Sequence, residues 1–226
     1  GSVWIDCGVL SGTGNILAHG AKWPNYGEIS TSGGRIAVYQ SQTNDLTSFT
    51  GKIQTTRTTC KHSACGTIYL EDTDDAKGEG TLLIDNLGVN SGNFVTVFGE
   101  LMTDVDEPFG EVVLQNYAKL KVYPGKTLKV KRGIRCSSNS TLSTADSTAV
   151  IELCGTNDMQ IIGASRISTH NFVCTNIEKR VFFESGANGM LSIGANTSLK
   201  LSGLGVEHPL SLLPLSEGQT WQLKVD

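Results

Sequence analysis

Three short β-prone segments, Val3-Trp-Ile-Asp, Arg35-Ile-Ala-Val and Thr67-Ile-Tyr-Leu, begin 32 residues apart, twice in succession. Gly34 and Gly66 stand directly before the second and third. A strand that recurs at fixed spacing marks a structural unit stacked on itself, because one such unit cannot bury its apolar face alone. The chain is thereby restricted to a stack of short strands. Such a fold is a scaffold first, and any chemistry has to be located residue by residue.

The remainder of the chain carries the same signal. No stretch shows a sustained i, i+3, i+4, i+7 apolar stripe, so helices are not expected. Short strands are expected at 3–7, 15–18, 35–40, 52–56, 67–70, 81–85 and 94–98 in the first half. The second half supplies 111–115, 118–123, 127–132, 148–153, 159–162, 171–174, 180–184, 190–193, 198–202 and 220–225. Glycine or Asn/Asp/Ser clusters separate most of them. The 32-residue register has one conflict. It places Asp6 in line with Val38 and Leu70, and a carboxylate does not share an apolar column unless it lies at an end. The first strand is therefore an end cap or is shifted by one residue.

Beyond residue 90 the beat shortens to about 20 residues. One column reads Leu120, Leu142, Ile161, Val181, Leu201 and Trp221, and a second reads Leu128, Ile151, Phe172, Leu191 and Leu212. The expected fold is all-β, a right-handed parallel β-helix. It forms a single domain over 1–226, with units of about 32 residues over 1–90 and coils of about 20 residues over 91–226. The chain reads as part of a longer protein.

Charge narrows the function. The formal net charge is −4 and charged residues make up 18% of the chain, so nucleic acid, whose binders carry basic patches, is not an expected partner. The basic zone from Lys119 to Arg135 has lysines partly on alternate positions, as on a solvated strand face. No apolar run approaches the ~18 residues of a membrane helix.

The strings GSVWIDCGVLSGTGNILAHG at 1–20, GGRIAVY at 33–39, FTGKIQT at 49–55, CGTIYLED at 65–72 and LLIDN at 82–86 follow one another in that order. In this they resemble the glycine-rich parallel β-helix repeats of very large secreted or cell-surface proteins. The resemblance covers about residues 1–90. It implies a β-helix in an extracellular setting and no particular activity. The chain departs from the pattern where AKWPNYGEIS and TTRTTCKHSAC replace the usual glycine tracts.

Six cysteines in a Thr/Ser/Asn-rich β chain suit an oxidising compartment. Neighbouring strands lie about 4.8 Å apart, within the roughly 4.4–6.8 Å Cα separation that a disulfide needs. Cys154–Cys174, 20 residues apart, is the preferred inter-coil pair, and Cys60–Cys65 the local one. The alternative is reduced, apolar cysteines inside the coil. The acidic loop with Asp72, Asp74 and Asp75 has oxygen ligands at spacing suited to calcium, the one cofactor considered. A solvated acidic turn is the competing reading. A second acidic cluster follows at Asp104, Asp106 and Glu107. Tyr39 and Tyr69 alternate with inward Ile, Val and Leu and should face outward. With Trp23 and Tyr26 they are candidates for binding sugar rings. Arg166, Lys179, Arg180, Glu184 and Lys200 could gather on one face, but no motif selects them as catalytic. The expected role is a non-enzymatic structural or adhesive module of a secreted or cell-surface protein, with a glycan or cell-surface partner. A carbohydrate-binding or polysaccharide-processing β-helix is the alternative.

Overall fold

The computed structural model describes residues 1–21, 31–43, 45–56, 63–99, 107–175 and 178–225, with the side chains of 195–197 excepted. The protein is all-β, and its strands form one long, mostly parallel sheet that bends round corners. The strands fall into three rows. The first row holds β1 (Ser2–Cys7), β3 (Arg35–Gln40), β5 (Thr67–Glu71), β6 (Thr81–Asp85), β8 (Phe109–Gln115), the second half of β10 (Thr127–Cys136), β13 (Met159–Ile162), β15 (Lys179–Phe183) and β17 (Leu210–Pro214). The second holds β7 (Thr96–Phe98), β9 (Lys119–Val122), β11 (Thr141–Thr144), the starts of β14 (Ile167–Cys174) and β16 (Met190–Leu201), and β18 (Gln222–Val225). The third holds the start of β10, β12 (Val150–Leu153) and the ends of β14 and β16. Two further strands, β2 (Asn15–Leu17) and β4 (Lys52–Gln54), pair separately. No helix among the described residues is long and apolar enough to cross a membrane.

Burial alternates along the row strands because successive side chains leave opposite faces. In β8 the buried residues are Gly110, Val112 and Leu114; in β12 they are Ile151 and Leu153. From β6 onward the inward residues of the three rows meet in one core that extends to Ile193 and takes in Cys65 before β5. Each fully buried Leu, Ile or Phe there contributes about 1.5–3 kcal/mol. A smaller core, built on Ile36, Val38 and Ile68, lies under β1, β3 and β5.

The recurrent segments pair as their spacing predicts. Ile36 lies opposite Ile68, and Val38 opposite Leu70. Strand β1 is shifted by one: Ile5 faces Val38 and Asp6 faces Tyr39, which resolves the misplaced carboxylate. The glycines before β3 and β5 have a physical cause. A Cβ on Gly66 would sit 1.9 Å from the Gly34 carbonyl oxygen, and one on Gly34 would sit 2.0 Å from that of Gly1. The backbones approach too closely there for any side chain.

The two expected columns are right at their starts and wrong further on. Leu120 faces Leu142, and Leu128, Ile151 and Phe172 line up as read. However, Ile161 and Val181 belong to the first row, Leu191 to the second and Leu201 to the third. The paired residues are not 20 apart. Their separations vary, from 21 (Ile151 and Phe172) through 25 (Leu142 and Ile167) to 32 (Leu191 and Leu223). A fixed 20-residue count therefore drifts from row to row.

One kind of corner recurs. Just beyond each first-row strand from β6 onward stands a residue with positive φ: Leu87, Asn116, Asn139, Gly163, Gly186 and Gly218. Turn hydrogen bonds close five of these corners, among them Val89 N–H to Asn86 O (2.9 Å) and Arg166 N–H to Gly163 O (2.9 Å). One left-handed residue, or two in succession at Leu87-Gly88 and Asn116-Tyr117, turns the chain sharply enough to enter the second row.

The stack also has a break. Strand β6 pairs antiparallel to β5, with Ile68 opposite Leu83 and Leu70 opposite Thr81. It is the one antiparallel pairing between strands among the described residues. The acidic loop is the hairpin that makes the reversal. Strand direction is opposite on its two sides, and the two cores meet there.

Candidate functional site

The reversal at β5–β6 gathers the most unusual chemistry among the described residues. Tyr69 is its hub. The phenol donates to Glu71 Oε2 (2.6 Å) and accepts from the Gly80 amide (2.8 Å), while Gly78 N–H donates to the same carboxylate oxygen (2.7 Å). Burial is the main reason that the Tyr69 phenol titrates well above its usual value of 10.0, and the Glu71 carboxylate adds to it. The sign follows. Above pH 10.0 the unfolded chain loses this proton while the folded one keeps it, so stability falls as pH rises. Tyr69→Phe is expected to cost about 1–2 kcal/mol at neutral pH, by leaving Gly80 N–H without its acceptor and Glu71 with only the Gly78 amide. It should also flatten the alkaline fall, read from urea unfolding midpoints at several pH values.

Tyr69 is also the centre of a ladder of rings. Trp4 and Tyr39 lie 4.5 Å apart at 30°, Tyr39 and Tyr69 5.4 Å at 49°, Tyr69 and Phe109 6.2 Å at 58°, and Phe98 and Phe109 5.9 Å at 69°. Ring pairs of this kind add about 0.5–1.5 kcal/mol each beyond the area they bury. The tilt grows along the series. Trp4, at the flatter end, is largely exposed, and Phe98, at the steeper end, is buried. Beside Phe98 a cavity of about 540 Å³ opens at the end of the main core, lined by Tyr39, Tyr69, Phe98 and Phe109 together with Arg35 and Glu107.

Tyr39 and Tyr69 are therefore brought together on the face of β3 and β5 that points away from the small core, as the alternation predicts, and at the reversal Tyr69 lies opposite Leu82 of the main core. Trp23 and Tyr26 lie outside the described residues, as do Asp104 and Asp106. Phe98, Phe109, Arg35 and Glu107 had no signal in the sequence as one group, because the antiparallel turn that assembles them is invisible to a parallel repeat.

The acidic loop spends its carboxylates on itself. Asp72 Oδ1 accepts from Asp74 N–H (3.0 Å) and Asp75 Oδ2 accepts from Asp72 N–H (3.2 Å). Asp75 also pairs with Arg132 of β10, tying the hairpin to the main stack. Burial nevertheless raises the Asp75 carboxyl above its usual range, against the pull of Arg132. No three His, Cys, Asp or Glu side chains converge on a metal position among the described residues. The Asp75 side chain is only 7% exposed. Arg132→Met, which strands it, is expected to cost about 2–3 kcal/mol in urea unfolding. Adding Asp75→Asn should recover part of that loss.

The cysteines depart from expectation. Cys154 and Cys174 are free thiols. The local repeat is 21 residues, Val150 facing Asn171, so Cys174 falls one step beyond the paired Glu152 and Val173, in line with Leu153. The 20-residue spacing thus sets Cys154 one position past its intended partner, and its Sγ turns to Val130 O at 3.6 Å. Cys65 is a free, buried thiol 3.5 Å from Thr96 Oγ1, and Cys60 lies outside the described residues. Burial pushes Cys136 up to about 12 and Cys174 up to about 11, so neither is a ready nucleophile.

Of the basic and acidic groups on the later strands, Arg166 and Glu184 meet at the Gly163 corner, bridged by Asn188, and the others lie elsewhere. Arg180 pairs with Asp158. Arg166 donates to Cys136 O and to Asn188 Oδ1, both at 3.2 Å, and Glu184 accepts from Gly163 N–H at 2.8 Å. Lys200 belongs to the third row. Lys179 is only 2% exposed, and its Nζ donates to Cys154 O (2.6 Å) and Lys131 O (2.8 Å). Its burial lowers its pKa, but its bonds make it a tie between strands. Comparison of the chain with protein-family models, with curated proteins and with solved structures returns no match.

Proposed function

We propose that the chain is a right-handed parallel β-helix serving as a non-enzymatic structural or adhesive module of a secreted or cell-surface protein. The observation that carries this reading is the set of three rows of parallel strands around the apolar core that extends from β6 to β16. Such a stack buries its backbone bonds between neighbouring strands and leaves few internal segments for a protease. The kinship to glycine-rich extracellular repeats, carried by residues 1–90, belongs to the same proposal.

Two assays on the whole protein test it. Limited trypsin digestion should cut only in connecting loops and leave the row strands in one resistant body. Incubation with a panel of neutral and acidic polysaccharides should release no new reducing ends and no unsaturated uronates. Rapid cleavage within the row strands, or turnover of any polysaccharide, would overturn the reading.

A further inference from the structure

The cavity at the β5–β6 reversal is not required by a scaffold. A continuous parallel stack would fill it with the next rung's side chains, as the rows from β8 to β15 do. Here the change of strand direction leaves about 540 Å³ open, within the range of small-ligand sites. We propose that this cavity binds a neutral saccharide, an inference that rests on the adhesive reading and gives it a ligand.

Three features select that class. The wall is aromatic: Tyr39, Tyr69, Phe98 and Phe109 all line the cavity, and Tyr39, Tyr69 and Phe109 are only partly buried. The apolar C–H face of a sugar ring fits such a surface. Tyr69 is fixed by its two hydrogen bonds, so little side-chain freedom is lost on binding. Polar groups of both kinds stand on the lining: Arg35 offers donors only and Glu107 acceptors only. Sugar hydroxyls both donate and accept, and so satisfy the two together. A uronate would gain at Arg35 but meet Glu107 as a like charge, and an amine would gain at Glu107 but meet Arg35 as one; a neutral sugar meets neither repulsion. Glycines complete the fit. Gly33, Gly34 and Gly66 border the space without side chains, which brings backbone to its edge.

The experiment is isothermal titration of the whole protein with cellohexaose, mannohexaose and chitohexaose, repeated with Arg35→Met and Glu107→Gln. Arg35 and Glu107 are exposed, so neither change should unfold the chain, and thermal melting of each variant checks this. Saturable binding of at least one probe is expected, weakened about tenfold or more in each variant at unchanged melting temperature. No saturable heat with any probe up to about 10 mM, weaker than the millimolar affinities of the weakest specific sites, would overturn the inference. So would binding that both variants leave intact. Either result beside a trypsin-resistant stack removes the sugar site and leaves the module standing. Loss of the resistant stack itself removes both.

Discussion

Replacing Gly163 with alanine is expected to destabilise the protein by about 3 kcal/mol or more, while the same change at Gly125 costs only about 1–2 kcal/mol. The two glycines share a conformation, with φ of 71° and 70°. Their surroundings differ. A Cβ on Gly163 would lie 2.1 Å from the Cys136 carbonyl oxygen, which is backbone of the neighbouring strand and cannot swing aside. A Cβ on Gly125 would meet nothing within 4 Å. Both substitutions therefore carry the penalty of a left-handed side chain, and only Gly163→Ala must also push adjacent strands apart. Arg166, whose guanidinium reaches across the same corner to Cys136 O, would be displaced too. Urea unfolding of both variants reads the difference directly. Equal costs would mean that the corner at Gly163 is not held against Cys136.

The second large effect concerns the third row. Phe172 is 1% exposed and lies between Ile151 of β12 and Leu199 of β16. Phe172→Ala is expected to cost about 3–5 kcal/mol, from lost burial plus the cavity left where rigid neighbours cannot close in. Gln160 of β13 is an exposed residue on the outer face, and Gln160→Ala should stay within about 0.5 kcal/mol. The contrast follows from strand alternation alone. Two comparable losses would show that the inner and outer faces have been exchanged.

Much of this fold was readable before any coordinates, and the failures have identifiable causes. Alternation of apolar residues located most of the strands, and the glycines before Arg35 and Thr67 marked where backbones touch. Strand β11 was missed because Thr141-Leu142-Ser143-Thr144 carries a single aliphatic residue, and its inward Thr144 is satisfied by hydrogen bonding with His170 (2.8 Å). Strand β17 was missed because it ends in Pro214, a residue that reads as a strand breaker. The 20-residue columns drifted because corners of unequal length separate the rows. Asn139 and Gly163 announce a left-handed corner by residue type, but Leu87 and Tyr117 adopt positive φ without any such cue.

The site was legible only in fragments. Outward placement of Tyr39 and Tyr69 followed from their alternation with Ile36, Val38 and Ile68. Their company of Phe98, Phe109, Arg35 and Glu107 depends on the reversal at β5–β6. A run such as Glu71-Asp72-Thr73-Asp74-Asp75 reads equally as a metal loop or as a tight turn. The hydrogen bonds among its own carboxylates and amides, with Arg132 beneath, make it the turn.

The central claim is that distant stretches of chain lie side by side in the same direction, and nuclear Overhauser contacts across neighbouring strands test it most directly. The account predicts amide-to-Hα contacts of parallel type linking Lys129 with Glu152 and Glu152 with Val173, and short Hα–Hα contacts between strands only across β5 and β6. Short Hα–Hα contacts joining successive strands such as β11 and β12, with none between Lys129 and Glu152, would contradict it.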